Sequence, residues 1–505
     1  MRKYLVLLDT DKIKQYVCSS AILKSIRGAS SILAELNEKQ AVKNRVESHG
    51  GECIFAGGGQ VMAEFNSAEK ADRFIKEEQA KYNRFNASIT GIKEEYVDNF
   101  KNVVNIAQIK LRMVKEKRSY NTQYVSNPFF KTCQLCGINP ASKIKYEKFV
   151  CISCERKMKH GEAIRKTPKI GMIYKKFLDF VKGQPTHQEW EKAEFTEDLS
   201  ELGTLSKPEN YIGLIYADGN RMGERLLERT SKTDYQELSK AIENGLQESV
   251  FESILEYIPN PYGEKIPKIP FEFIIMGGDD LILLTPAEKA IPIALKTLEK
   301  FEEKFDQENF TLSAGVVIAH SKYPISSFTK RGNDLLRSAK VLNKNKWYGV
   351  KESERQDIST IDYLVVTTPS TNPVDIIREK DLVYTIGDYA HKLTQRPITL
   401  QKARKVVDTV KEIKRSGLSR SRLYSMYDSL LKGKNQSVLN ILSLTNRLKG
   451  KENDIEELFE KIRNETLFYS DGGGLFPWNG SGTYEYNTPF LDILEIYDFI
   501  EDECQ

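Results

Sequence analysis

No apolar run in this sequence approaches the ~20 residues that a bilayer-spanning helix needs, so a membrane-embedded protein is not expected. Charge of one sign is missing too. Basic and acidic side chains number 75 and 71, a formal net charge of +4 in 505 residues. That balance neither requires nor excludes RNA binding, because patches matter more than totals. Histidines are scarce, and none stands in a catalytic motif. His320 ends a strand-like run and reads as structural, while His49, His160, His187 and His391 have no partner that sequence can assign. General-base catalysis by histidine is therefore not required. Walker A, HExxH and GxSxG patterns are absent. Without a signal-peptide pattern, a secreted disulfide framework is not expected either, and a cytoplasmic location is.

Cysteines are few, but four of them are ordered. Cys133 and Cys136 form one CxxC pair, Cys151 and Cys154 a second, with fourteen residues between the pairs. Four thiolates at this spacing suit tetrahedral Zn²⁺. A redox motif would need only one pair, and Cys18, Cys53 and Cys504 are scattered. Four protein ligands leave no open position, so such a metal staples the fold and does not catalyse.

Residues 271 to 285 place two apolar strand-like runs around Gly277, Gly278, Asp279 and Asp280. Gly/Asp clusters between such runs mark a hairpin. A plain surface turn would also use these residues. Two adjacent carboxylates at a tip are nevertheless the oxygen donors that Mg²⁺ or Mn²⁺ takes together with phosphate. A second apolar run, residues 211 to 218, ends in Asp218. If its strand lies beside the hairpin, Asp218, Asp279 and Asp280 form one acidic cluster. Such a cluster needs cations to neutralise it. Metals held there could activate a ribose hydroxyl and clamp a triphosphate for in-line attack.

The order of elements is strand, helix (234–258), hairpin, helix (286–305), strand (310–319) and helix (326–343). This is the β-α-β-β-α-β, ferredoxin-like plan of polymerase and cyclase palms. The front of the chain repeats it: a strand (2–9) ending in Asp9, a helix (20–37), a hairpin (52–65), a helix (68–82) and a strand (86–91). Its tip reads Gly57-Gly58-Gly59-Gln60, without the acidic pair. Asp9 and Asp11 are expected to act locally, as turn or capping residues.

The fold class expected is thus α+β. A degenerate first palm covers residues 1–92, and a helical segment with the CxxC pairs covers 93–209, of which 161–209 carries no clear pattern. A second palm with Gly-Gly-Asp-Asp spans 210–368. A linker at 367–373 leads to a helical domain, 374–505. Within that domain Asp471 to Gly474 reads as a loop. Basic clusters at 110–118, 156–159 and 411–422 are solvated helix faces or contacts for RNA or a partner subunit.

These stretches together carry a resemblance. Leu8-Asp9-Thr10-Asp11, Ile26 to Ser30, Ala56 to Gly59, Tyr216 to Gly219 with Met222-Gly223, Met276 to Leu281, Leu312 to Gly315 and Ala339-Lys340 follow the order of the Cas-ten family. Its members are the large polymerase-cyclase subunits of type III CRISPR–Cas effector complexes. The resemblance implies ATP-dependent synthesis of a nucleotide second messenger, usually cyclic oligoadenylate, when a complex carrying guide RNA binds target RNA. It implies that Asp218, Asp279 and Asp280 hold the metals, with Gly277 and Gly278 beside the nucleotide and Ser313 and Lys340 near it. Gly57, Gly58 and Gly59 would border a second, acceptor ATP. Asn220 stands where the family often has another acid. Many members begin with an HD nuclease domain, and no His-Asp dipeptide occurs here, so a member without that activity is expected. Transfer of AMP to another acceptor such as S-adenosylmethionine, a stand-alone cyclase and a catalytically silent scaffold are the alternatives.

Overall fold

The computed structural model describes residues 2–96, 99–119, 131–145, 147–263, 265–345, 356–368, 370, 372–448, 478–480 and 485–502. Asp471 to Gly474 lie outside them. The first sheet has four strands: β1 (Lys3–Thr10), β2 (Gly51–Gly57), β3 (Gln60–Phe65) and β4 (Ile89–Tyr96), in the order β2-β3-β1-β4. β1 runs antiparallel to both neighbours, with Leu7 opposite Met62 on one side and Ile92 on the other. Leu5 to Leu8 are buried on both faces, as an unbroken apolar run requires. Helices α1 (Leu23–Leu36) and α2 (Ala68–Asn83) supply the crossovers. Ser67 caps α2 by accepting a hydrogen bond from the Lys70 amide.

Helix α3 (Phe100–Ser119) follows, then a short hairpin (Lys143–Lys145, Lys148–Val150) and helix α4 (Ile152–Lys166). α1 and α4 cross at Gly28 and Gly161. A Cβ on Gly28 would lie 1.8 Å from the Lys157 carbonyl oxygen, and one on Gly161 1.8 Å from that of Lys24. The two backbones touch there, which only glycine permits. The stretch 161–209, unpatterned in sequence, folds into three short helices, Met172–Phe180, His187–Lys192 and Leu199–Thr204. They are held by an aromatic cluster in which Phe177 meets Trp190 at 5.2 Å and Phe271 at 5.3 Å. Helices of six to nine residues are too short to display a 3.6-residue period.

The second sheet contains β5 (Tyr211–Gly219), β6 (Glu272–Gly277), β7 (Asp280–Pro286), β8 (Leu312–His320), β9 (Thr360–Val365) and β10 (Ile398–Thr399), in the order β6-β7-β5-β8-β9-β10. Its first four strands repeat the order of the first sheet, and helices α5 (Lys232–Tyr257), α6 (Ala287–Lys304) and α7 (Ile325–Asn345) alternate with them. β9 adds parallel to β8, and β10 antiparallel to β9.

The C-terminal part is not purely helical, contrary to the apolar spacing. Helices Leu400–Arg415, Arg420–Leu430 and Lys434–Leu448 are present, but so is a four-stranded sheet of Val383–Ile386, Tyr389–Lys392, Glu485–Asn487 and Asn479–Gly480. Strands of two to four residues give no alternation to read. Stacked rings hold them instead, Tyr384 on His391 at 5.2 Å and Tyr389 on Tyr486 at 5.4 Å.

By packing, the chain forms two compact units. One comprises residues 1–205, 217–284 and 324–329, the other 206–216, 285–323 and 330–505. The second unit has its own buried charges: Arg396 bonds Asp492 at 2.7 Å and Glu495 at 2.6 Å with no exposure of its side chain. All of the sites below except Ser313 and Lys340 belong to the first unit.

Candidate functional site

The two hairpin tips meet. Gly57 pairs with Gln60 and Gly277 with Asp280, so each hairpin turns on two residues. Gly58 and Gly59 both have positive φ, the requirement of a type I′ turn, whereas in the second tip only Gly278 does. A Cβ on Gly58 would lie 3.4 Å from Gly278 Cα. A cavity of about 330 Å³ opens where they meet. Gly57 to Gly59, Gly277 and Asp280 line it, with apolar side chains such as Leu33, Ile173 and Met276 and the lysines 39, 176 and 240. Glu38, Glu243 and Asn244 add polar groups, and a cleft that joins apolar walls to convergent polar groups is the usual form of a small-ligand site.

The three expected carboxylates are arranged less tightly than the sequence suggested. Asp218 stands half-buried at the end of β5. Asp279 rests against the residue after it, since a Cβ on Gly219 would meet Asp279 Oδ2 at 2.8 Å. Asp280 lines the cavity and takes an ion pair from Lys14 Nζ at 3.3 Å. Neighbours on a strand point to opposite faces, and a two-residue tip keeps that divergence. Among the described residues, the one group of three or more His, Cys, Asp or Glu with ligand atoms within 4.8 Å of each other is the cysteine set. Carboxylate oxygens at strand ends are the hard donors that suit Mg²⁺. Arg221, φ 57°, turns the chain sharply just beyond Asp218.

Three other expectations resolve differently. Asp9 and Asp11 are not turn or capping residues: Lys115 of α3 bonds Asp9 at 2.5 Å and Asp11 at 3.3 Å, and Thr90 donates to Asp11 at 2.9 Å. Burial still raises the Asp9 carboxyl above its ordinary range, against the pull of Lys115. Ser313 is fully buried, its hydroxyl paired with that of Thr360 at 2.8 Å, so it serves the sheet interior. Lys340 lies half-exposed on α7.

Several residues at the site carried no sequence signal. Arg27 of α1 forms a bidentate, buried pair with Glu272 at the base of β6, Nε donating to Oε1 at 3.0 Å and Nη2 to Oε2 at 2.5 Å. Burial lifts the Glu272 carboxyl more than Arg27 lowers it. Arg27 was visible within Arg27-Gly28-Ala29-Ser30, but its partner lies 245 residues away. Lys14, Lys176 and Glu243 stand in no motif, and Lys115 was legible only as one member of the basic cluster 110–118.

The cysteine set is as the spacing implied. Cys133, Cys136, Cys151 and Cys154 bring their sulfurs within 4.8 Å of one another, and Cys136 Sγ and Cys151 Sγ are 4.0 Å apart. Tetrahedral Zn²⁺ with bonds near 2.3 Å separates sulfurs by about 3.8 Å, so the set fits that ion. Cys151 also caps α4, its sulfur accepting from the Cys154 amide at 3.4 Å. Thiol donors from Cys151 and Cys154 hold Cys136 below the ordinary thiol range, and Cys136 pushes both of them above it. Sulfurs this close cannot all ionise without a cation.

Strand order, hairpin tip and Asp218 together define a palm-domain protein. Residues 211–348 match the family model of the second palm domain of Cas10/Cmr2. Over these residues the chain carries the second palm domain of that family. A curated relative, the CRISPR system Cmr subunit Cmr2 of Pyrococcus furiosus, is 26% identical over 151 residues, covering 26% of this chain and 17% of that protein. Among solved structures, the Csm1–Csm4 cassette in complex with cA3 matches at a TM-score of 0.54 and 14% identity, over 99% of this chain and 69% of that one. The cassette in complex with cA4 matches at 0.50 and 14% identity, over 92% and 65%. At these identities the likeness is one of fold. The chain spans 65% of the length of that second structure's chain and 17% of the Pyrococcus relative.

Proposed function

We propose that this chain is a Mg²⁺-dependent nucleotidyltransferase that joins ATP-derived units into a second messenger, cyclic oligoadenylate, within an RNA-guided type III complex. The observation that carries this reading is the cavity between the two glycine-rich tips, with Asp280 in its wall. The relatives crystallised with cA3 and cA4 support the same product class.

Asp218 and Asp279 would hold the metal, which when bound supplies charge to a phosphate and acidity to a hydroxyl. The residues of the chain do the placing. The side-chain-free tip of the first hairpin, Gly58-Gly59, lets a ribose or phosphate come against the backbone where carboxylates would repel it. Lys39 and Lys240 at the cavity offer cations to phosphate oxygens. Lys14 holds Asp280 in position at the tip. The first palm contributes surface, its Asp9 and Asp11 both paired with Lys115. The four cysteines would carry one structural Zn²⁺.

The test is incubation of the assembled complex with labelled ATP, Mg²⁺ and matched target RNA, with products identified by mass. Cyclic adenylates that depend on the target RNA are expected. A complex that leaves ATP unconverted overturns the reading.

A further inference from the structure

Gly57 has no need of glycine's backbone freedom. Unlike Gly58 and Gly59, it is not in the left-handed region. What it provides is space. A Cβ at position 57 would stand 3.2 Å from Glu243 Oε2 and 3.2 Å from the Phe55 ring. The sequence leaves room at the tip for a carboxylate that comes from α5, in the other palm.

That carboxylate is held by one oxygen. Glu243 Oε1 accepts from Lys176 Nζ at 3.1 Å and from Gln247 Nε2 at 3.0 Å. Oε2 accepts no hydrogen bond from the described residues. Glu243 lines the same cavity, and its side chain is 20% exposed. An oriented carboxylate with one oxygen to spare, facing a ligand cavity, is a hydrogen-bond acceptor waiting for a neutral donor. Phosphate is excluded by charge. The apolar walls suit a base, which leaves the tip end for the sugar. The acceptor's hydroxyl must lie at that end to reach a phosphate held at Asp218 and Asp279.

We infer that Glu243 is a specificity-determining residue: its Oε2 accepts a hydrogen bond from a ribose hydroxyl of the nucleotide seated between the tips. This rests on the nucleotidyltransferase reading above. Carboxylates recognise ribose in this way in dinucleotide sites. Gly57 preserves the space, and Lys176 and Gln247 set the angle.

Binding without turnover separates this inference from the reading beneath it. The full chain is titrated calorimetrically with ATP, 2′-deoxy-ATP, 3′-deoxy-ATP and inosine triphosphate, with Ca²⁺ in place of Mg²⁺. Wild type should bind ATP about tenfold more tightly than at least one deoxy analogue, the scale of a single hydrogen bond. In Glu243→Ala that gap should close to about threefold or less, while the ratio of ATP to inosine triphosphate stays as in wild type. Glu243→Gln, which keeps the shape and the bonds to Lys176 and Gln247, guards against a folding defect and should narrow the same gap. A deoxy gap that persists in both variants overturns the inference alone. So does collapse of the inosine ratio instead, which would place the base amine on Glu243. If wild type binds none of the four nucleotides, the inference falls together with the reading it rests on.

Discussion

Gly219 leaves no room for a side chain, because a Cβ there meets Met222 Cγ at 2.3 Å and Asp279 Oδ2 at 2.8 Å. Met222 can swing aside; Asp279 would have to leave its place against Gly219. Gly219→Ala should therefore cut product formation about a hundredfold, since a misplacement near 1 Å costs that much at a reacting centre. The thermal midpoint should barely move. Steady-state turnover of labelled ATP beside a melting curve checks both, and an undiminished rate would remove Asp279 from the proposed metal site. Asp279→Ala with Asp280→Ala should abolish product while changing stability by less than about 1 kcal/mol, the usual worth of a surface pair. Lys14 and Asp280 are 45% and 36% exposed, so little is lost with their contact. Denaturant titration of the double variant reads the second half of that statement.

At the scale of elements, Glu64 of β3 ties four pieces together. It meets Lys3 of β1 at 2.9 Å, Lys232 of α5 at 2.8 Å and the Tyr96 hydroxyl of β4. Burial works to raise its carboxyl, but these donors prevail and hold it below the ordinary value of 4.5. A depressed folded value means stability that is present above the unfolded value and lost as pH falls through the folded one. Between about pH 5 and 3 wild type should thus lose more stability than Glu64→Gln, measured by urea midpoints. Equal losses would show that the bridge contributes nothing. Elements such as these were legible where their signal is local. Gly-Gly-Asp-Asp between apolar runs gave the hairpin, and two CxxC pairs gave the sulfur cluster. Illegible parts depend on distance or on shortness. Lys14 and Asp280 are 266 residues apart and Lys115 and Asp9 106, so no window contains both partners. Two- to four-residue strands in the C-terminal part were read as helix because neighbouring helices set the period. Ser313 shows the limit of resemblance, which transfers a position but not the direction in which its side chain faces.

In the whole molecule, the sulfur cluster reaches the site through a short chain of contacts. Cys151 caps α4, α4 lies on α1 at Gly28 and Gly161, and α1 grips β6 through Arg27 and Glu272. Metal removal should therefore be felt at the hairpin as well as around the cysteines. Elemental analysis is expected to find one zinc per chain. Chelation should lower the thermal midpoint by many degrees, since a closed zinc site contributes folding free energy directly. Product formation should fall with it and return when zinc is restored. Protein without zinc, its four thiols freely titratable, would rule the site out.

The crossing of α1 and α4 has a consequence for how this sequence can change over time. Most tight contacts can drift, because a larger residue on one side is balanced by a smaller one opposite. Gly28 and Gly161 face carbonyl oxygens of the other helix's main chain, at 1.8 Å from where a Cβ would be. Neither helix can shrink to admit a methyl group, for nothing smaller than glycine exists and the backbone cannot be trimmed. The pair is a one-way lock: any descendant that leaves it must move two helices apart, and with them the anchor of the hairpin.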